Sequence, residues 1–174
     1  MMPVKKNSTL EEITTLITDG KHGDCKNEKG SGYYFLSSKD LFNGTLNYNN
    51  PRQITKEDFE ETHRRTDLNP NDILLVNAGA SIGRIGITPN DSRVFKTTFQ
   101  KSISIVRAKS DTINNKYLYY YFLSQVKRIK NLGFGSAQPN LLLSDLRRMK
   151  IDYYQSKSLQ KKIASALLAY DKLI

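Results

Sequence analysis

The chain has 174 residues, about one domain's worth, and 38% of them are hydrophobic; that content lies above the range of disordered chains and predicts a single folded core. One cysteine, Cys25, excludes an internal disulfide and a cysteine-built metal site, and 27 basic residues against 17 acidic ones leave a formal charge of +10. No apolar run approaches the ~20 residues of a membrane helix, and the N-terminal Met-Met-Pro-Val-Lys-Lys-Asn lacks the apolar stretch of a secretory signal, so a soluble cytoplasmic protein with no membrane partner is expected.

Ser8-Thr-Leu-Glu11 has the spacing of a capping box and predicts a short helix to about residue 17. Asp19-Gly-Lys-His-Gly-Asp24 breaks it, and the small and charged residues through Gly32 predict an exposed loop. Tyr33-Tyr-Phe-Leu-Ser37 predicts a strand and Asn43-Gly44 a turn. Thr55-Lys-Glu-Asp58 is a second capping box, opening a helix that ends before Asn69-Pro70. Ile73-Leu-Leu-Val76 suits a buried strand, and Gly83, Gly86 and the alternating Ile85 and Ile87 suit its return. Ser102-Ile-Ser-Ile-Val-Arg107 alternates as a half-buried strand does.

The clearest helix covers residues 116–132, where Leu118, Tyr121, Phe122, Val126 and Ile129 form one apolar stripe, with Gly133 as a left-handed C-cap. The spacing predicts a glycine-rich loop over residues 133–140, a short helical turn capped by Ser144, and an edge strand over residues 149–153. Ser158 caps a final helix in which Leu159, Ile163, Ala166, Tyr170 and Leu173 alternate four- and three-residue steps, as a coiled-coil seam does. The expected division is a domain over residues 1–154 and a helix over 155–174.

Catalytic patterns are weak. His22 and His63 have no second ligand at metal spacing. Gly79-Ala-Ser-Ile-Gly83-Arg-Ile-Gly86 lacks the Lys-Ser/Thr of a P-loop and no helix pattern follows it, so it reads as a turn between strands. Asn69-Pro-Asn-Asp72 is close to the Asn-Pro-Pro-Tyr tetrapeptide of amino-methyltransferases but lacks the aromatic residue that stacks on a flipped base. Asp91 with Lys96 and Lys101 is the nearest approach to the carboxylates and lysine of a metal-dependent nuclease. Charge points elsewhere: from Tyr117 onward ten Lys and Arg stand against three Asp, an excess of seven. Such density either keeps a face solvated or attracts a polyanion, of which nucleic acid is the commonest.

Several segments, in order and across nearly the whole chain, resemble the target-recognition domain of type I restriction–modification specificity subunits. They are Ile17-Thr-Asp-Gly-Lys-His22, Phe35-Leu-Ser-Ser-Lys-Asp-Leu-Phe-Asn-Gly44, Ile54-Thr-Lys-Glu-Asp-Phe59, Leu68-Asn-Pro-Asn-Asp-Ile-Leu-Leu75 running into Gly79-Ala-Ser-Ile-Gly-Arg84, Tyr117-Leu-Tyr-Tyr-Tyr-Phe-Leu123, Gly135-Ser-Ala-Gln-Pro-Asn-Leu141, and Gln160-Lys-Lys-Ile163 leading to Leu168-Ala-Tyr-Asp171. The resemblance implies an α+β fold: a mixed target-recognition domain with a short sheet and several helices, followed by the start of a coiled-coil helix. In this family a full subunit carries two such domains joined by two antiparallel helices. This chain matches one domain and the start of one helix, as a natural half-subunit or a fragment would. Asp152-Tyr-Tyr-Gln155 departs from the family's Pro-Leu-Pro-like segment.

The partners implied are double-stranded DNA, the methyltransferase (modification) subunit, the restriction subunit and a second copy of the chain. No cofactor is expected in this chain; S-adenosylmethionine belongs to the methyltransferase. Phosphate contacts position such a protein and base-edge contacts specify its site. Lys21, Arg64, Arg65, Arg84, Lys96 and Lys101, in or beside inferred loops, are the phosphate candidates. His22, Ser81, Thr98, Gln100, Ser136, Gln138 and Asn140 are the base-edge candidates, because such polar side chains match the groups of base edges; Gln138 and Asn140 equally suit stitching of their own loop. Leu159, Ile163, Ala166, Tyr170 and Leu173 are the partner stripe. The competing readings are an interaction module that recruits a partner through its C-terminal helix, and a small nuclease.

Overall fold

The computed structural model describes residues 3–133 and 140–171. In chain order the strands are β1 (Lys5–Thr9), β2 (Thr14–Asp19), β3 (Tyr34–Leu36), β4 (Leu41–Phe42), β5 (Thr45–Leu46), β6 (Ile73–Val76), β7 (Ile85–Ile87), β8 (Thr97–Phe99), β9 (Ile103–Ala108) and β10 (Lys150–Tyr154). The helices are α1 (Lys56–Thr66), α2 (Asn115–Ser124), α3 (Val126–Leu132), α4 (Leu143–Arg148) and α5 (Lys157–Asp171). The architecture is α+β, with a four-stranded sheet in the order β2-β9-β6-β7 at its centre.

Strand periodicity sends alternate residues of β6 to two cores. Ile73 and Leu75 join Ile17, Val106, Leu118, Phe122 and Ile129 on the side of α2 and α3. Leu74 and Val76 join Leu36, Phe99, Ile103 and Ile105 on the side of the parallel pair β3–β8. Strand β9 is therefore covered on both faces rather than half-buried: even Ser104 is fully buried, and its hydroxyl accepts a 2.8 Å hydrogen bond from the Asn77 side-chain amide. The expected turn at Asn43-Gly44 joins β4 to β5 with both residues at positive φ, 48° and 73°, as a two-residue hairpin requires. The Thr55 hydroxyl accepts from the Asp58 amide and starts α1 as its sequence predicts.

The predicted N-terminal helix is replaced by two strands around one 3₁₀ turn, Glu11–Ile13. The capping pair sits one residue later than expected: the Thr9 amide donates to the Glu12 carboxylate at 2.7 Å. Flanking residues such as Thr14, Thr15, Ile17 and Thr18 are β-branched and lose side-chain freedom in a helix. They gain ladder partners instead, β1 with β10 from Lys5↔Tyr154 to Thr9↔Lys150, and β2 with β9.

The long helix expected over 116–132 is two helices, broken at Gln125 (φ −105°, ψ 12°). Gly133 is right-handed (φ −88°), not a left-handed cap; a Cβ there would stand 2.8 Å from Ile82 Cδ1, so closeness rather than handedness calls for glycine. Leu142, not Ser144, precedes α4, with no side-chain cap. Helix α5 starts one residue before Ser158, and the Ser156 hydroxyl accepts the Leu159 amide at 3.3 Å.

Gln160 decides which face of α5 turns inward. It is fully buried, its Oε1 accepts from the Asn114 amide at 2.6 Å, and its Nε2 donates to the Tyr154 carbonyl at 2.7 Å. A buried amide with its partners in place is hard to rotate out. Ala164 is buried beside it and Ile163 packs against the main core, while Ala166 and Tyr170 face outward and Leu159 is half-buried. The expected single seam is thus split between two faces. Leu173 lies outside the described residues. Among the described residues, no helix is long and apolar enough to cross a membrane.

Candidate nucleic-acid interface

Strand register collects the loops. The pairs Asp19↔Ser104, Val76↔Ile103, Leu75↔Ile85 and Leu36↔Phe99 bring the last residues of β2, β3, β6 and β8, and the first of β7 and β9, to one end of the molecule. Across β2-β9-β6-β7 that end spans three inter-strand spacings, about 14 Å. Backbone hydrogen bonds lock the loops side by side. Lys21 donates to the Phe99 carbonyl (2.6 Å), Lys101 to Lys21 (3.0 Å), Gln100 to Leu36 (3.1 Å), Asn77 to Ser102 (2.9 Å) and Leu141 to Asn77 (2.8 Å). Gly20 lies at the tightest point of this weave, with no room for a side chain against the Phe99 and Gln100 carbonyls.

Six of the predicted contact residues meet here as surface or half-buried side chains: His22, Ser81, Arg84, Gln100, Lys101 and Asn140. Arg84 is fixed through Nη1, which donates to the carbonyls of Ser38 (2.9 Å) and Leu41 (3.2 Å). The Asn140 amide donates to the Gly133 carbonyl. His22 Nε2 lies 3.1 Å from the Asp19 carboxylate, which also accepts from Arg65 Nη1 at 2.9 Å. Asp19 is a residue sequence reasoning missed; its one signal is a carboxylate directly before Gly-Lys-His.

Other predicted residues are placed differently. Lys21 is only 12% exposed and its ammonium is held by Glu61 (2.6 Å) and Asp58 (3.2 Å), which push its pKa up, the Glu61 hydrogen bond most. It pins its loop to α1 rather than offering a free charge. Thr98 is fully buried inside β8, paired with Phe35, so it has no surface to present to a base. Lys96 precedes β8 at the end opposite Phe99, its ammonium 5.9 Å from the Tyr33 ring centroid. Arg64 is exposed on α1 beside Arg65. Ser136 and Gln138 lie outside the described residues.

The Asp91 carboxylate is occupied by Arg93, with Nε and Nη2 at 3.0 and 2.5 Å. That bidentate pairing holds its carboxyl below the usual range. Among the described residues, no group of three or more His, Cys, Asp or Glu side chains is arranged to hold a metal ion.

The family described as the type I restriction modification DNA specificity domain matches this chain over residues 5–174. A relative from Methanocaldococcus jannaschii, named for the specificity subunit of the type I restriction enzyme MjaX, is 28% identical over 149 residues, covering 85% of this chain and 31% of that one. The crystal structure of a type I restriction–modification S subunit from M. genitalium superposes with a TM-score of 0.64 at 20% identity, over 98% of this chain and 40% of that chain. A chain of a type I R-M system, solved for its complex assembly and conformational transition, superposes with a TM-score of 0.71 at 16% identity, over 99% of this chain and 40% of that one. The shared fold extends over essentially all of this chain, which spans less than half the length of each of these proteins. With 170 consecutive positions matched, the chain belongs to the type I restriction modification DNA specificity domain family.

Proposed function

We propose that the chain reads the sequence of double-stranded DNA as the specificity subunit, or half of it, of a type I restriction–modification complex. The observation that carries this reading is the convergence of strand ends that sets His22, Ser81, Arg84, Gln100, Lys101 and Asn140 on one face. Its breadth of about 14 Å is close to the ~12 Å of a DNA major groove. The amides of Gln100 and Asn140 each donate and accept, the combination that pairs with adenine, and Arg84 carries the fork that pairs with guanine or phosphate. Lys101, exposed on the β8–β9 turn, supplies sequence-independent attraction.

Residues 1–154 do the reading and residues 155–174, which include α5, carry assembly. The chain supplies no catalytic group: methyl transfer from S-adenosylmethionine belongs to a methyltransferase subunit and cleavage to a restriction subunit, in the cytoplasm. The family and the solved type I assembly support this placement. A second reading, pairing with another copy or docking on a partner through α5, is favoured by its exposed Leu167 (39%) and Tyr170 (62%). Fluorescence anisotropy on labelled duplex tests the first reading. Affinity is expected to fall steeply between about 50 and 200 mM salt; weak binding at the lower salt, unchanged at the higher, would overturn it.

A further inference from the structure

Helix α3 contributes a residue to the same end that the sequence does not connect to it. Lys130 lies against Gly83 in the β6–β7 turn: a Cβ built on Gly83 would stand 2.7 Å from Lys130 Cγ and 3.0 Å from its Cε. Gly83 has φ +80°, so glycine both makes the turn and leaves the bed on which the lysine stem rests. Ile129 buried in the main core and Ile82 packed by Gly133 hold α3 to this turn. The Lys130 side chain therefore reaches the rim beside Arg84. It is exposed, and among the described residues it has no ion pair. Lys127, also exposed, stands on the same face one turn earlier, about 4.5 Å along the axis.

The positions of α3 and α1 give this lysine its role. In the order β2-β9-β6-β7, α3 lies against the β7 margin, and Arg65 of α1 reaches the β2 margin at Asp19. Basic side chains thus stand at both margins of a face about as wide as a major groove; Arg65 is held by the Asp19 carboxylate and the Gly20 carbonyl, so the charge at the rim without an ion pair among the described residues is that of Lys130. Groups at the margins of a groove meet the phosphates that line it, whereas groups between them meet base edges. We infer that Lys130, aided by Lys127, is a phosphate-positioning residue that grips one DNA strand at the β7 margin, with Gly83 setting its approach. The inference rests on the DNA-reading function proposed above and extends its contact surface onto α3.

Lys130→Ala, Lys130→Arg, Lys127→Ala/Lys130→Ala and, as a comparison on α5, Lys162→Ala are measured beside the unaltered chain. Duplex affinity is followed across salt, and thermal unfolding is followed in parallel. Lys130→Ala is expected to weaken binding to every duplex alike and to lower the slope of log affinity against log salt by about one; the double replacement lowers it by about two. Lys130→Arg keeps the slope, Lys162→Ala leaves it unchanged, and the melting temperature stays put throughout. A normal slope for Lys130→Ala, with salt-dependent binding by the unaltered chain, would overturn the inference and leave the DNA reading standing. Loss of discrimination at a single base pair would equally overturn it, as a base contact. Absence of salt-dependent binding by the unaltered chain would remove the DNA reading itself.

Discussion

Gly20→Ala is the sharpest probe of how the proposed reading face is held together. Gly20 sits where the end of β2 crosses the turn between β8 and β9. An added Cβ would stand 2.5 Å from the Gln100 carbonyl oxygen and closer still to the Phe99 carbonyl. Carbon–oxygen contacts settle no nearer than roughly 3.3 Å, so the two backbones must part by on the order of 1 Å. Neither can yield as a side-chain tip would, because the Lys21–Phe99 and Lys101–Lys21 hydrogen bonds tie them on both sides. Overpacking of this kind costs about 1–3 kcal/mol, and the parting shifts His22 relative to Gln100 and Lys101. Urea unfolding followed by circular dichroism reads the first effect. Competition between a preferred and a scrambled duplex reads the second, with discrimination expected to fall while the salt slope holds. An unfolding free energy within about 0.5 kcal/mol of the parent, with discrimination intact, would refute the reasoning.

Three further replacements test other parts of the structure. Asp72 is 2% exposed and accepts from Arg107 Nε and Nη2, both at 2.8 Å, and from the Asn69 amide at 2.8 Å. Asp72→Ala should cost about 3 kcal/mol, the low end for a broken buried pair because Arg107 keeps Asp67; a loss under about 1 kcal/mol in urea unfolding would contradict that weight. Burial holds the His63 imidazole, stacked 4.7 Å from Phe59, below its ordinary pKa. The unfolded chain therefore takes the proton first, and the stability this group contributes is full above about pH 6.5 and drains as pH falls toward the lowered value. His63→Phe should flatten stability against pH in that window, and an unaltered slope would rule the group out. Because Ile163 packs inward, the pairing face of α5 is tested by Leu167→Glu with Tyr170→Glu. Sedimentation should show a smaller species with the unfolding midpoint retained, and an unchanged oligomer would exclude that face.

Local chemistry was legible where it agreed with tertiary packing. The Thr55–Asp58 cap, the Asn43-Gly44 hairpin and the apolar run of β6 each acted as their residues predict. It failed where long-range pairing won. Ser8 and Glu11 have helix-start spacing, yet Lys150–Tyr154, far along the chain, offers Lys5–Thr9 a ladder that a short helix cannot match. The spacing of the α5 stripe carries no sign of the buried Gln160, which turns the helix so that Ile163 faces in and Tyr170 faces out.

At the candidate site, loop membership predicts the exposure that Gln100, Lys101, Arg84 and Asn140 have, since polar residues in strand-connecting loops reach the surface. Polarity could not separate Thr98 from Gln100, because only the parallel pairing of β3 with β8 buries the threonine. Nor could a count of charges show that Lys21 is spent on Asp58 and Glu61. Lys130 was illegible for a related reason, since its neighbour Gly83 lies far away in the chain.

Selection of bound sequences from a random duplex pool, with the purified chain alone and with a methyltransferase subunit added, tests sequence reading most directly. The structure leads us to expect enrichment of a defined motif, arranged as inverted half-sites around a spacer when two chains pair with two-fold symmetry. Gln100→Ala and Asn140→Ala should each change the base preferred at one position, whereas Lys101→Ala leaves the motif intact and lowers its recovery. A pool that stays random after repeated selection, while the chain remains folded and bound to DNA, would contradict sequence reading by this face.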